Sequence, residues 1–127
     1  MNEAGYAPRI LIIEQDITLQ AAIALPLFEA GYETATTRHK EEAIADLVET
    51  PYAAVIIDPF EGGGMLELLQ MLRNDELLGY PRVVLVTHYT ERARDALANG
   101  LADMAFDKDL MDWDALAEAV SELLASA

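Results

Sequence analysis

Cysteine is absent from the 127 residues. That excludes a disulfide scaffold, a thiolate metal site and a thiol nucleophile together, and it suits a reducing compartment. Serine is nearly absent: Ser121 and Ser126 are the only two, both in the last helical segment, so a serine triad has no support. Cations are scarce. Eight Lys and Arg stand against 23 Asp and Glu, for a net charge of −15. Nucleic acid and anionic membranes require clustered cations, so neither is expected as a partner; the acidity favours solubility and basic partners. No apolar run approaches the ~20 residues of a membrane span. The opening "MNEAGYAPR" lacks the basic start and apolar core of a leader. A cytoplasmic protein is therefore expected. The five prolines and seven glycines are scattered, not massed in a linker, so residues 1–127 are expected to form a single domain.

What is present is a regular rhythm. Hydrophobic residues make up 53% of the chain, enough for a substantial core. Apolar runs of strand type occupy 9–14, 32–37, 53–58, 82–87 and 103–108. Between and after them, helical periodicity occupies 17–30, 40–49, 65–74, 91–99 and 113–126. In the helix over 40–49, Ala43, Ile44, Leu47 and Val48 fall on one side. Pro26 lies inside the first helix, where it removes a hydrogen bond, but the pattern continues past it and predicts one kinked helix. The first, third and fourth strands are apolar almost throughout, as central parallel strands must be. The second and fifth are more polar, as edge strands are. Five β-α units with right-handed crossovers predict an α/β fold: a doubly wound, five-stranded parallel sheet of order 2-1-3-4-5 and flavodoxin-like topology. Ligands of such folds bind at the carboxyl ends of the strands, near the switch point between strands 1 and 3.

Those ends deliver a particular set of side chains to one rim. Strand 1 delivers Glu14, Gln15 and Asp16, and strand 3 delivers Asp58. Strand 4 ends at Thr87, followed by His88 and Tyr89. Strand 5 ends at Lys108, taken as the only Lys or Arg at a strand end on that rim. Carboxylates brought within ~4 Å repel by a few kcal/mol at an effective dielectric near 20. A hard cation such as Mg²⁺ or Ca²⁺ relieves that. A hydroxyl and an ammonium beside a carboxylate make a cradle for a phosphoryl group. Glu14 and Asp16 also suit the N-terminus of the first helix. His88 reads as a surface side chain.

In "ILIIEQD", "AVIID", "VVLVTHY" and "AFDKDL", taken in that order and spacing, the chain resembles a response-regulator receiver domain of two-component signalling over residues 9 to about 125. The resemblance implies that Asp58 accepts a phosphoryl group from a histidine kinase or phosphotransfer protein. It implies Thr87 and Lys108 as phosphoryl contacts. It implies Mg²⁺ held by Glu14, Gln15, Asp16, Asp58 and the Phe60 backbone. It also implies a signalling switch rather than an enzyme, a downstream protein bound through helix 4, strand 5 and helix 5, and a monomer or weak homodimer.

Several positions depart from the family pattern. The second member of the acidic pair is Gln15, a neutral amide. Pro59, directly after Asp58, has no N–H to offer a phosphoryl group. The loop "PFEGGG" is about one residue short. The expected aromatic switch residue falls on Ala105, and Phe106 faces the other side of its strand. These departures leave a second reading open: a pseudo-receiver that binds partners without phosphorylation. Two other classes fit less well. An aspartate-nucleophile phosphatase wants a second acid where Phe60 stands, and a flavin module wants a hydroxyl-rich loop where "EQDITLQ" is acidic.

Overall fold

The structure, a computed structural model, describes residues 7–126; the leader-free reading of the first six residues lies outside them. Strands β1 (Arg9–Ile13), β2 (Glu33–Thr37), β3 (Ala54–Ile57), β4 (Arg82–Thr87) and β5 (Met104–Asp107) alternate with five helices. These are α1 (Ile17–Glu29), α2 (Lys40–Glu49), α3 (Met65–Asn74), α4 (Thr90–Ala98) and α5 (Trp113–Ala125). Every boundary falls within one residue of the sequence expectation. Two 3-10 turns, Glu76–Leu78 and Lys108–Leu110, carry no periodic signal and are additions. All pairings are parallel and the order is β2-β1-β3-β4-β5, as expected.

Strand alternation divides the core into two layers. Leu11, Ile13, Val55, Ile57, Val83 and Leu85 face α2, α3 and α4. Ile10, Ile12, Ala54, Ile56, Val84 and Val86 face α1 and α5. The central strands are thus buried on both sides, which explains their unbroken apolar sequences. β5 is only partly buried, and α4 buries just Ala93 and Ala96. One expectation fails at Val48, which is 53% exposed: it lies about 100° around the helix from Leu47 and about 140° from Ala43, outside the buried stripe.

Two helices near the rim begin on aspartates. Asp16 caps α1 by accepting from the amides of Thr18 and Leu19, and Asp112 caps α5 through the amide of Ala115. Pro26 sits in the last turn of α1; it offers no N–H to the Ala22 carbonyl four residues earlier, yet α1 remains one element. Gly64 precedes α3 in a left-handed conformation, φ +78°. A Cβ there would meet only the flexible Lys40 side chain, 2.8 Å away at Cδ, so it is the left-handed backbone that favours glycine.

Candidate functional site

The register brings the acids together. Ile13 of β1 lies level with Ile57 of β3, so Glu14 and Asp58 leave adjacent strands at the same height. Thr87 of β4 lies level with Asp107 of β5, and Lys108 follows directly. Lys108 extends from β5 toward the acids, and its ammonium lies 2.8 Å from Asp58 Oδ2 and 2.8 Å from Glu14 Oε1. All three side chains are buried. Burial pulls the Lys108 pKa down, but the hydrogen bonds and negative charges of Asp58 and Glu14 outweigh it and hold the ammonium above its ordinary value.

The other oxygen of Asp58 is also engaged. Oδ1 accepts the Phe60 N–H at 3.1 Å, an Asx turn that passes over Pro59. Thr87 is fully buried, and its Oγ1 accepts the Tyr89 N–H at 3.1 Å. Its hydroxyl hydrogen remains available to donate. Asp58, Glu14 and Lys108 are therefore in direct contact, with Thr87 at the end of the strand beside Asp58.

Gln15 and Asp16 lie outside this buried group. Both are exposed. Asp16 Oδ1 is committed to the cap of α1, and Gln15 contributes its carbonyl to Arg38 Nε at 2.9 Å. His88 is half-exposed and pairs through Nδ1 with Asp109 Oδ1 at 2.6 Å, in keeping with a surface side chain.

Three residues escaped the sequence reading. Glu61 Oε1 stands 3.6 Å from the Lys108 ammonium, a third carboxylate around one cation. Arg38 corrects the expectation that Lys108 is the only cation at a strand end: it follows β2 directly and lines the same depression, of about 410 Å³, as Glu14, Glu61 and Lys108. Its signal, "TTRHK" after the second strand, was there to be read. Gln20 is buried on α1, and its Nε2 donates to the carbonyls of Glu14 (2.6 Å) and Thr37 (3.2 Å). It ties the ends of β1 and β2 beneath the site.

An aromatic contact leads away from Asp58. Phe60 meets Tyr89 edge to face, with ring centres 6.2 Å apart. The Arg92 guanidinium, in the first turn of α4, lies 5.9 Å from the Phe60 ring and 5.4 Å from the Tyr89 ring. Ala105 packs into the α2–α4 layer, while Phe106 packs into the α1–α5 layer, on the opposite face as alternation requires.

No family model and no curated protein matches the chain. Solved structures do. A response regulator from Thermotoga maritima is 20% identical, with TM-score 0.81, covering 95% of this chain and all of its own. A putative response regulator from Chloroflexus aurantiacus J-10-fl is 24% identical, with TM-score 0.81 over 94% of this chain and 99% of its own. The response regulator TrrA from Thermotoga maritima, in complex with Mg²⁺-BeF, is 28% identical, with TM-score 0.77 over 91% and 98%. The chain has the receiver fold of response regulators.

Within this receiver the donors for a divalent cation are hard oxygens, the right type for Mg²⁺. Their number and charge fall short. Among the described residues, no group of three or more His, Asp or Glu side chains is disposed to hold a metal. Glu14 and Asp58 both spend an oxygen on Lys108. As they stand, these residues do not fit Mg²⁺. Also among the described residues, no helix is long and apolar enough to cross a membrane.

Proposed function

We propose that this receiver is a phosphoacceptor switch of the two-component type, with Asp58 as the acceptor, formed by the single domain of residues 1–127 and working in the cytoplasm. The observation that carries the reading is the buried contact of Asp58 Oδ2 with the Lys108 ammonium at 2.8 Å. A carboxylate oxygen of Asp58 attacks the phosphorus of a phosphohistidine. The new O–P bond forms as the P–N bond breaks, and the imidazole leaves with the electron pair. The acyl phosphate adds negative charge to a site that already holds Glu14 and Glu61. Lys108 is the cation that balances it, the Phe60 N–H is an amide already directed at Asp58 past Pro59, and the Thr87 hydroxyl is a donor to a phosphoryl oxygen. The donor would be a histidine kinase or phosphotransfer protein, and a downstream protein would read the surface of α4, β5 and α5.

A specific observation favours the alternative. Lys108 is shared between Asp58 and Glu14, Gln15 supplies no charge, and the cation donors fall short. A site locked in this way suits a pseudo-receiver that binds partners in a single state. Incubation with acetyl phosphate, with and without Mg²⁺, followed by intact-mass measurement, separates the two. A mass increase of one phosphoryl group, absent from Asp58→Asn, is the expected result. An unmodified protein under both conditions would leave the pseudo-receiver.

A further inference from the structure

Asp58 and Glu14 have little left to give a metal ion. Glu14 Oε1 and Asp58 Oδ2 each lie 2.8 Å from the Lys108 ammonium. Glu14 Oε2 accepts the Asp16 N–H at 3.2 Å, and Asp58 Oδ1 accepts the Phe60 N–H at 3.1 Å. Every carboxylate oxygen of these two buried acids thus already holds a hydrogen-bond donor. Asp16 Oδ1 serves the cap of α1, and the Gln15 amide brings no charge. A dication drawn to the acids would have to displace those donors and settle beside an ammonium.

Arg38 stands at the mouth of the same site. In a chain of net charge −15, five of the eight Lys and Arg side chains pair with carboxylates, and Arg92 lies against the rings of Phe60 and Tyr89. Among the described residues no carboxylate pairs with Arg38. Its Nε donates to the Gln15 carbonyl at 2.9 Å, which ties the guanidinium to the end of β1. The side chain lines the depression of about 410 Å³ that also exposes Lys108. Its terminal nitrogens keep their N–H groups for an anion, in the planar fork that matches a phosphoryl group.

We infer that Arg38 is the second phosphate-binding cation of this site and takes the place of a metal ion: with Lys108 it holds a phosphate-type anion in the depression without Mg²⁺. For the transfer step the inference rests on the reading of Asp58 as the acceptor. With acetyl phosphate, an Asp58 oxygen attacks the phosphorus, the O–P bond to the acetyl group breaks, and acetate leaves with the electron pair. The exchange of a carboxylate for an acyl phosphate adds about one negative charge. Arg38 offsets that charge as it forms, so labelling of Asp58 depends on Arg38 and not on Mg²⁺.

The test uses the full chain and acetyl phosphate, with the adduct followed over time by intact mass in excess EDTA and in Mg²⁺. The parent should label at rates within about twofold of each other in the two conditions. Arg38→Gln should label about tenfold more slowly, and Arg38→Lys should recover part of the rate, since it restores the charge without the fork. Arg38 is exposed, and circular dichroism verifies that both variants remain folded. A parent that labels only with Mg²⁺ would overturn the inference and leave Asp58 as acceptor; so would Arg38→Gln labelling as fast as the parent. A parent that labels in neither condition would sink the acceptor reading, and inorganic phosphate then decides the anion site. Titrated in EDTA into isotope-labelled protein, phosphate should shift the Arg38 and Phe60 amide resonances to saturation, with about tenfold weaker binding by Arg38→Gln. Absence of any shift, or equal affinity in the variant, would overturn the inference.

Discussion

Replacing Lys108 with methionine removes one buried cation and leaves two buried carboxylates facing each other. Each carboxylate oxygen lies 2.8 Å from the same nitrogen, so the two are at most 5.6 Å apart. At an effective dielectric near 20, two unit charges at that separation repel by about 3 kcal/mol or more. Breaking a buried pair by removing one partner costs roughly 3–5 kcal/mol in other proteins, which agrees. Lys108→Met should therefore lower the unfolding free energy by about 3 kcal/mol, or Tm by roughly 10 °C for a domain of this size. Asp58→Asn should behave differently. It leaves Glu14 and Lys108 as a one-to-one pair and relieves the repulsion, so its cost should stay within about 1 kcal/mol. The double variant Lys108→Met/Asp58→Asn should recover part of the loss, because the mutual repulsion is gone while Glu14 stays buried without its cation. Urea unfolding followed by far-ultraviolet circular dichroism measures all three. A Lys108→Met protein as stable as the parent would refute the reasoning, as would an Asp58→Asn protein less stable than Lys108→Met.

Four further outcomes follow from the same structure. The Lys108 pKa is raised in the folded state, so its stabilising share is intact below the ordinary lysine value of 10.5 and is lost as pH rises through the higher folded value; the parent should weaken more steeply than Lys108→Met in that alkaline window. Gln20→Leu leaves the Glu14 carbonyl without its 2.6 Å partner and should cost roughly 1–3 kcal/mol in urea unfolding. Gln15→Asp adds the acid that the cation donors lack, so thermal shift should show Mg²⁺ stabilising this variant more than the parent. Amides of α4 and β5 should exchange with deuterium faster than those of β1, because α4 buries only two alanines and β5 is only partly covered.

Sequence and structure agree where the backbone decides the outcome. The strand ends, their order and the meeting of Glu14, Asp58, Thr87 and Lys108 at one rim all follow from five parallel β-α units, since that topology puts every strand's carboxyl end on the same side. Side-chain reach is a different matter. That Lys108 spans both acids, and that Glu61 comes within 3.6 Å of it, depends on conformations that periodicity does not encode. Asp16 suits a ligand or a cap, and in the structure its Oδ1 accepts two amides at the start of α1, a side-chain geometry that periodicity does not encode. Nothing in the helical periodicity marks Gln20; only the meeting of β1 and β2 shows what it holds. Val48 adjoins the apolar side of α2 yet is exposed, because it lies about 100° around the helix from Leu47.

The hydroxyl of Thr87 has a consequence for α4. Tyr89, the residue before that helix, has no side-chain cap to offer, but its own N–H is held by Thr87 Oγ1. A group that accepts the Thr87 hydrogen would polarise the O–H bond and make the oxygen a better acceptor, since hydrogen bonds in a chain reinforce one another. The Tyr89 amide would then be gripped harder. An anion arriving at Asp58 would thus stiffen the start of α4, and the Tyr89 amide proton would report its arrival by moving downfield and exchanging more slowly.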